Sequence, residues 1–143
     1  MMGIAELSEI ADGKNIMIDS FALESREALS IMDVDGSCYI AIDPDKIQSD
    51  ADEKMKMAHE LGHCITGSFY NQWAACDVRQ KHENRADKWA IEHLAPMDEL
   101  YAAIADGYTD FQELAERFDL SEDFVKKAIC FYKYGNLATD LYF

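Results

Sequence analysis

Two histidines and a glutamate near the middle of the chain have the spacing of a zinc-hydrolase motif. Residues 59–63 read His-Glu-Leu-Gly-His, the pattern H-E-x-x-H. On a helix, His59 and His63 lie one turn apart on the same side, so both imidazoles can bind one tetrahedral ion. Glu60 lies about 100° round that helix, within reach of a water molecule on the ion. A surface helix that happens to carry two histidines has the same pattern, and a third ligand distinguishes the two interpretations.

A candidate third ligand follows in a second segment with helical periodicity. Glu83 and Asp87 are four residues apart and therefore share one face of that helix. Catalytic zinc sites use three protein ligands and an open position, so we predict a Zn²⁺ site formed by His59, His63 and Glu83. Asp87 is expected to accept the outward N–H of a ligand histidine, which fixes the orientation of the ring.

To hold these side chains in place, each of the two helices must pack one apolar face against the core. The first is predicted to begin between Ser49 and Met57, with Asp50 and Glu53 as its capping box. Its inward residues, at helical spacing, are Met55, Ala58, Leu61, Gly62 and Ile65. The corresponding set on the second helix is Ala86, Trp89, Ala90, Ile91 and Leu94.

The sequence resembles the ImmA/IrrE family of metallopeptidases encoded by phages and mobile elements. The resemblance lies in A-H-E-L-G-H, in E-x-x-A-D-x-W-A-x-x-x-L-A-P ending at Pro96, and in the strand 39–44; it covers roughly residues 37–130. The family usually has Asn at the position of Asp87 and often a second acid at that of Arg85, while His93 and Ala95 replace more apolar residues. Asp is the residue of the related gluzincins at position 87.

The resemblance implies a zinc-dependent endopeptidase of the gluzincin kind. Glu60 would take the proton of the zinc-activated water that attacks the peptide carbonyl and pass it to the leaving amine. A Tyr or His is expected to stabilise the oxyanion, and the candidates are Tyr39, Tyr70, His82 and His93. The implied substrate is a specific protein regulator, such as a repressor, whose cleavage lifts repression of a phage or mobile element.

We expect one α+β domain over residues 1–143, zincin-like, with a small antiparallel or mixed sheet packed on the motif helix. Strands are predicted at 15–21 and 38–43, after a first helix over 2–11; the segment 25–32 fits a helix or a strand and turn. By zincin analogy the strand 38–43 lies at the sheet edge, where Tyr39, Ile40 and Ala41 would pair with substrate backbone. The segment 67–81 has no clear period and could roof the cleft.

A helical C-terminal subregion is predicted over about residues 97–135. Helices are expected at 98–105, at 109–118 after a Thr109–Gln112 capping box, and at 121–134. Residues 113–125 resemble a helix-turn-helix, but residues 109–135 hold six acids and four bases. We therefore interpret this helix pair as a unit that packs within the domain or binds a protein partner, rather than as a DNA-binding unit.

Composition and charge limit the partners. The 143 residues carry 28 acids and 13 bases, a net charge of −15, which disfavours nucleic acids and anionic membranes and favours basic or mixed-charge proteins. No apolar run reaches membrane length and no secretory signal pattern opens the sequence, so a cytoplasmic location is expected. Cys38, Cys64, Cys76 and Cys130 are then predicted to be free thiols. The oligomeric state is left open.

A function of another class also fits the sequence. A zinc-containing binding module could act as an anti-repressor, or in a toxin–antitoxin pair, by sequestering its partner without cutting it. Glu60 distinguishes the two functions, because structural zinc needs no general base.

Overall fold

The computed structural model describes residues 2–71 and 73–143 as an α+β fold. Its strands are β1 (Met17–Ser20), β2 (Ala28–Met32) and β3 (Cys38–Ile42). Its helices are α1 (Ile4–Gly13), α2 (Asp50–Thr66), α3 (Cys76–Leu94), α4 (Met97–Ala105), α5 (Phe111–Phe118), α6 (Glu122–Tyr134) and α7 (Thr139–Tyr142), with a 3-10 turn at Pro44–Lys46. None of the helices within these described ranges combines the length and apolar character needed to cross a bilayer.

The three strands form a mixed sheet in the order β1-β3-β2. β3 runs parallel to β1 and antiparallel to β2, so its backbone is paired on both sides. The prediction that the strand 38–43 lies at the edge was therefore wrong, and Tyr39, Ile40 and Ala41 cannot take a peptide by strand addition. The alternation of apolar and polar residues along a strand indicates which face of the strand is buried. It does not indicate which other strands pair with that strand. The edge strand beside α2 is β2. It lies in the segment 25–32, for which the sequence fitted either a helix or a strand and turn.

α2 is the central helix, packed between the sheet and α3. Its N-cap is Ser49, whose hydroxyl accepts from the Asp52 N–H, one residue before the predicted cap at Asp50. Ala58 and Leu61 are fully buried on its inner face, while Met55 and Ile65 are partly buried. The core continues through the other helices and the sheet in a set of fully buried side chains: Leu7, Ile40, Ile91, Leu94, Leu100, Leu114 and Val125.

A disulfide between Cys38 and Cys64 joins β3 to α2. Their Cα atoms are 5.9 Å apart, within the range a disulfide spans. The prediction of four free thiols was wrong for this pair; Cys76 and Cys130 are free. A cytosolic setting argues against disulfides in general, but the pairing depends on the distance between β3 and α2, which the sequence does not report.

The C-terminal helices pack back onto the site helices. Asp110 caps α5 by accepting from the Glu113 N–H, one residue after the predicted cap at Thr109, and Ser121 caps α6. Between these two helices Asp119 has a φ of 54°, the left-handed conformation in which a helix-turn-helix usually has glycine. The buried Lys54 of α2 donates to the Phe118 carbonyl at 3.0 Å, which ties this turn to the central helix.

Candidate active site

α2 presents His59 and His63 to the same point in space. Their ring centroids are 4.8 Å apart and their Nε2 atoms 3.2 Å apart. The helix continues only to Thr66, because Gly67 takes a left-handed φ of 66° and its N–H bonds to the His63 carbonyl. The chain then turns so that the Ser68 carbonyl accepts from His63 Nδ1 at 2.5 Å.

α3 adds two carboxylates from one face. Glu83 lies with its Oε2 2.9 Å from His59 Nε2 and its Oε1 3.0 Å from His63 Nε2. Asp87 Oδ1 is 2.7 Å from His59 Nδ1. The structure thus brings together His59, His63 and Glu83 as one donor set, with Asp87 behind the first histidine as the helical spacing predicts.

The two helices approach closely enough for this because Gly62 faces Ala86. A Cβ built on Gly62 would lie 2.6 Å from the Ala86 carbonyl oxygen, well inside van der Waals contact. Ala86 lies between Glu83 and Asp87 on α3. The glycine of the motif therefore sets the helix separation that lets the carboxylates of α3 reach the histidines of α2.

Hydrogen bonds set the protonation of the site in the absence of a cation. Burial lowers the pKa of His59, but its bonds to Asp87 and Glu83 outweigh this and raise the pKa to about 10. Burial likewise opposes the effect of Glu83 and the Ser68 carbonyl on His63, whose pKa is raised overall. The bonds from both histidines lower the pKa of Glu83. A divalent cation bound between these groups would displace the protons that the hydrogen bonds otherwise favour on the rings.

The donor set fits a metal ion. Each Nδ1 faces an oxygen, Asp87 Oδ1 or the Ser68 carbonyl, so each Nδ1 carries a hydrogen and each neutral ring would keep its Nε2 lone pair for a ligand bond. Together with Glu83 this is the two-histidine, one-carboxylate combination found at catalytic zinc. His59, Glu60 and His63 also form a group whose donor atoms lie within 4.8 Å of one another.

Glu60 is a buried carboxylate beside the two histidines. It is 8% exposed, and its Oε2 has no hydrogen-bond partner among the described residues. A buried polar atom without a partner costs about 1–3 kcal/mol. Such an orphan atom beside two convergent imidazoles suits a group that hydrogen-bonds a water molecule or a substrate.

Two adjoining cavities open beside α2. The larger, of about 570 Å³, is lined by Met55, Lys56, His59, Glu60, Asp87 and Phe124 with residues 25–28. The smaller, of about 210 Å³, is lined by Glu60, His63, Phe69, Tyr70 and Glu83 with Arg26, Leu29, Ser30 and Ser68. β2 borders both, so the unpaired edge of the sheet runs along the cleft that contains the donor set.

The structure separates the four candidates for an oxyanion donor. Tyr70 lies in the smaller cavity, and its hydroxyl donates to Glu83 Oε1 at 3.0 Å. Tyr39 is exposed on β3. His93 stacks on Trp89 at 3.8 Å, and its Nδ1 bonds the Trp89 carbonyl. The ring of His82 stacks on that of Tyr70, with their centroids 6.1 Å apart.

Three contributors to the site carry no signal of their own in the sequence. The Ser68 carbonyl is a backbone group, and only the chain reversal after Gly67 brings it to His63. Lys127 of α6 reaches Asp87 Oδ2 at 3.4 Å across forty residues of sequence. Arg26 lies in the segment before β2, which has no clear periodicity, and it lines both cavities. Each depends on tertiary placement rather than on local spacing.

Comparison with known families agrees with this geometry. Residues 13–129 match the Peptidase M78 family, described as the IrrE N-terminal-like domain. The chain belongs to this family. The match covers most of the sequence and confirms the resemblance to ImmA/IrrE metallopeptidases. This IrrE-like domain therefore comes from a metallopeptidase family and has a His-Glu-His group able to hold a metal ion.

A solved structure shares the fold of this IrrE-like domain. It is named Mycobacterium tuberculosis transcriptional regulator, and it superposes with a TM-score of 0.60 at 14% sequence identity. The match covers 88% of this chain and 40% of the other, so the IrrE-like domain spans less than half of that protein's length. The comparison with curated proteins found no match.

Proposed function

We propose that this domain is a zinc-dependent endopeptidase of the zincin type that cleaves a specific protein regulator. The observation that carries the proposal is the buried, unpartnered Oε2 of Glu60 beside the convergent Nε2 atoms of His59 and His63. A family of metallopeptidases supplies the reaction class. The buried carboxylate supplies a base where that reaction needs one.

His59, His63 and Glu83 would hold the zinc, with Asp87 and the Ser68 carbonyl keeping the two rings oriented. Bound zinc supplies Lewis-acid chemistry, which polarises a peptide carbonyl and lowers the pKa of water. Glu60 accepts the proton that the attacking water loses, and it then gives that proton to the nitrogen of the leaving amine. The carboxylate is thus restored at the end of each turnover.

Tyr70 is the residue we assign to the carbonyl oxygen. Its hydroxyl lies on the Glu83 side of the donor set, in the cavity that Glu60 also lines. A donor at this place can stabilise the negative charge that develops on the substrate oxygen as the water adds. The hydroxyl would leave Glu83 Oε1 to do so.

The substrate is proposed to bind as an extended strand along β2. This strand is antiparallel to β3 and forms the sheet edge that borders both cavities. An exposed edge offers backbone donors and acceptors for an added strand. β2 replaces Tyr39–Ala41 of β3 in that role.

The partner class follows from charge and family. A surface of net charge −15 favours a basic or mixed-charge protein and disfavours nucleic acid or an anionic membrane. We propose a repressor-like regulator of a phage or mobile element, as the ImmA/IrrE resemblance implies. The cytoplasmic location stays a prediction, and the Cys38–Cys64 bond is unusual for that compartment.

The second candidate is a zinc-containing binding module that sequesters the regulator without cutting it. The cleft and the β2 edge would serve such a module equally well. The orphan Glu60 carboxylate favours the enzyme, since sequestration gains nothing from a buried base.

The test uses Glu60→Gln, which keeps size and polarity but cannot accept the proton. Wild type and variant should each bind about one zinc per chain and unfold alike, while cleavage of a co-expressed repressor partner falls about 10²-fold or more. Glu92→Gln on the exposed face of α3 is the matched control and should cleave like wild type. A partner that stays intact with every protein, while its repression is lifted equally, would establish sequestration instead.

A further inference from the structure

Arg26 and Glu60 occupy the junction of the two cavities. They are the two described residues that line both the larger and the smaller cavity. A peptide that runs from one cavity into the other along β2 therefore passes beside both of them. Arg26 lies just before β2, and its carbonyl accepts from Lys46 Nζ at 3.1 Å, which anchors the backbone at this point.

Two lysines beside the cleft, one lining the larger cavity and one contacting Asp87 in its wall, already have partners. Lys56 pairs with Glu27 at 2.9 Å and with Asp52 at 2.5 Å. Lys127 pairs with Asp87 at 3.4 Å. Among the described residues, no carboxylate lies within 4.0 Å of the Arg26 guanidinium. Of the described Lys and Arg residues that line the two cavities, Arg26 is therefore the one without an ion-pair partner in the chain.

The acidic side chains at the donor set do not form an ion pair with Arg26 either. Glu83 and Asp87 bond the two histidines, and Glu60 Oε2 is buried. Arg26 and Tyr70 both line the smaller cavity, so Arg26 borders the space beside the hydroxyl that faces the donor set.

A guanidinium binds a carboxylate through two parallel N–H bonds, which gives direction as well as affinity. We propose that Arg26 is a specificity-determining residue that binds a carboxylate of the peptide substrate close to the bond facing Glu60. The carboxylate is that of an Asp or Glu side chain, since an endopeptidase cleaves away from the C-terminus of its substrate. This inference rests on the proposed peptidase function and names the substrate class of the same site.

Peptide capture tests the proposal independently of cleavage. Zinc-loaded Glu60→Gln protein is immobilised and incubated with synthetic decapeptide mixtures, random except for one position fixed as Asp, Glu, Asn, Gln, Lys or Arg. Each mixture is made with a free and with an amidated C-terminus, and retained peptides are quantified by mass spectrometry. The same capture is run without metal. It is also run with Glu60→Gln protein that carries Arg26→Ala, Arg26→Lys or Arg26→Glu as a second substitution. Arg117→Glu, an equal charge change on the exposed end of α5, is the control.

Acidic peptides should be retained roughly tenfold over their Asn and Gln counterparts, because only the carboxylate forms a charge-assisted pair with the guanidinium; tenfold corresponds to about 1.4 kcal/mol. Arg26→Ala should abolish that preference, Arg26→Lys should keep part of it, and Arg26→Glu should shift it toward Lys and Arg. Loss of retention on C-terminal amidation, whichever residue is fixed, would show that the terminal carboxylate is bound instead and would overturn the assignment. Arg117→Glu should leave the preference unchanged.

Equal retention of acidic and amide peptides, a preference that survives Arg26→Glu, or no retention of any mixture would each overturn the assignment. Exposing the mixtures to protein with Glu60 intact separates this from the peptidase proposal. Cleavage with no preference for acidic peptides would refute the role of Arg26 and leave the peptidase proposal standing. A preference for acidic peptides that depends on Arg26, with no cleavage, would refute the peptidase proposal and leave the role of Arg26 standing.

Discussion

Replacing Gly62 by alanine adds one methyl group where α2 and α3 are closest. The new Cβ would lie 2.6 Å from the Ala86 carbonyl oxygen, 3.0 Å from its Cα and 3.1 Å from its carbonyl carbon. All three are backbone atoms, so no side-chain rotation relieves the overlap. Ordinary contact requires the helices to separate by about 0.8 Å at this point.

Two opposing terms decide the stability change. Alanine is favoured over glycine inside a helix by about 0.8–1 kcal/mol. Overpacking a filled interface costs about 1–3 kcal/mol, and the upper part of that range applies because Ala90, Ile91 and Leu94 hold α3 in the core further along. We expect Gly62→Ala to lower the free energy of unfolding of the metal-free protein by about 1–2 kcal/mol. Urea denaturation followed by circular dichroism measures this.

The same displacement should weaken metal binding. Glu83, on the displaced helix, would move from 2.9 Å to about 3.7 Å from His59 Nε2, beyond the roughly 0.5 Å tolerance of a preorganised site. We expect zinc affinity to fall about tenfold or more in a chelator competition titration. Gly13→Ala is the matched control: it also lies in a helix but meets nothing within 4 Å, so it should be neutral or stabilising. A Gly62→Ala protein as stable as the Gly13→Ala protein, with wild-type zinc affinity, would refute this account of the helix crossing.

Two further predictions concern the frame around the site. The Leu23 N–H bond to Asp43, with those from Asp45 and Lys46, lowers the pKa of the buried Asp43 carboxyl. Its stabilising contribution is therefore complete above the unfolded pKa, near 4, and is lost as the pH falls through the lower folded value. The gap in urea midpoint between wild type and Asp43→Asn should be constant above about pH 5 and shrink below pH 4; a gap independent of pH would contradict this. The Cys38–Cys64 bond closes a loop with a sequence separation of 26, so the Cys38→Ala/Cys64→Ala double variant should lose about 3 kcal/mol of stability. Reductant should lower wild type to the same level, and it should lower Cys76→Ser equally, since that variant loses only an exposed free thiol and keeps the bond. The double variant should not respond to reductant, and no effect of reductant on wild type would show that the bond is not formed.

Helical spacing accounts for the part of the site that sequence reasoning reached. His59 and His63 on one helix, and Glu83 and Asp87 on the next, are pairs four residues apart, and the i, i+4 geometry of a helix dictates that each pair shares a face. That the two faces meet follows from Gly62, whose missing side chain admits Ala86. A glycine within a helical pattern is a visible signal of close approach, although it does not identify the partner.

The sheet was predicted less well, because strand order is a long-range property. The alternation of residues 38–42 predicts a half-buried strand, and the structure has one there, with Cys38, Ile40 and Ile42 buried. Nothing in that alternation distinguishes a central strand from an edge strand. The segment 25–32 carries the weaker signal because β2 has one neighbour and an open side, so its residues are not sorted into buried and exposed as strictly. The strand that borders the cleft was for this reason the hardest to recognise.

The helix-turn-helix-like pair illustrates how local resemblance and tertiary use differ. The three lysines of α6 are the side chains a DNA-binding helix would aim at phosphates. Here Lys127 bonds Asp87, which in turn holds His59, while Lys126 lies over the ring of Phe111 at 5.4 Å and Lys133 over Tyr134 at 5.2 Å. The turn between the helices accepts a hydrogen bond from Lys54 of α2 through the Phe118 carbonyl. These contacts favour a packing unit over a DNA-reading one, because the charges such a reader needs are directed within the chain. They also make α6 part of the support of the candidate metal site, since Lys127 contacts Asp87, which bonds His59.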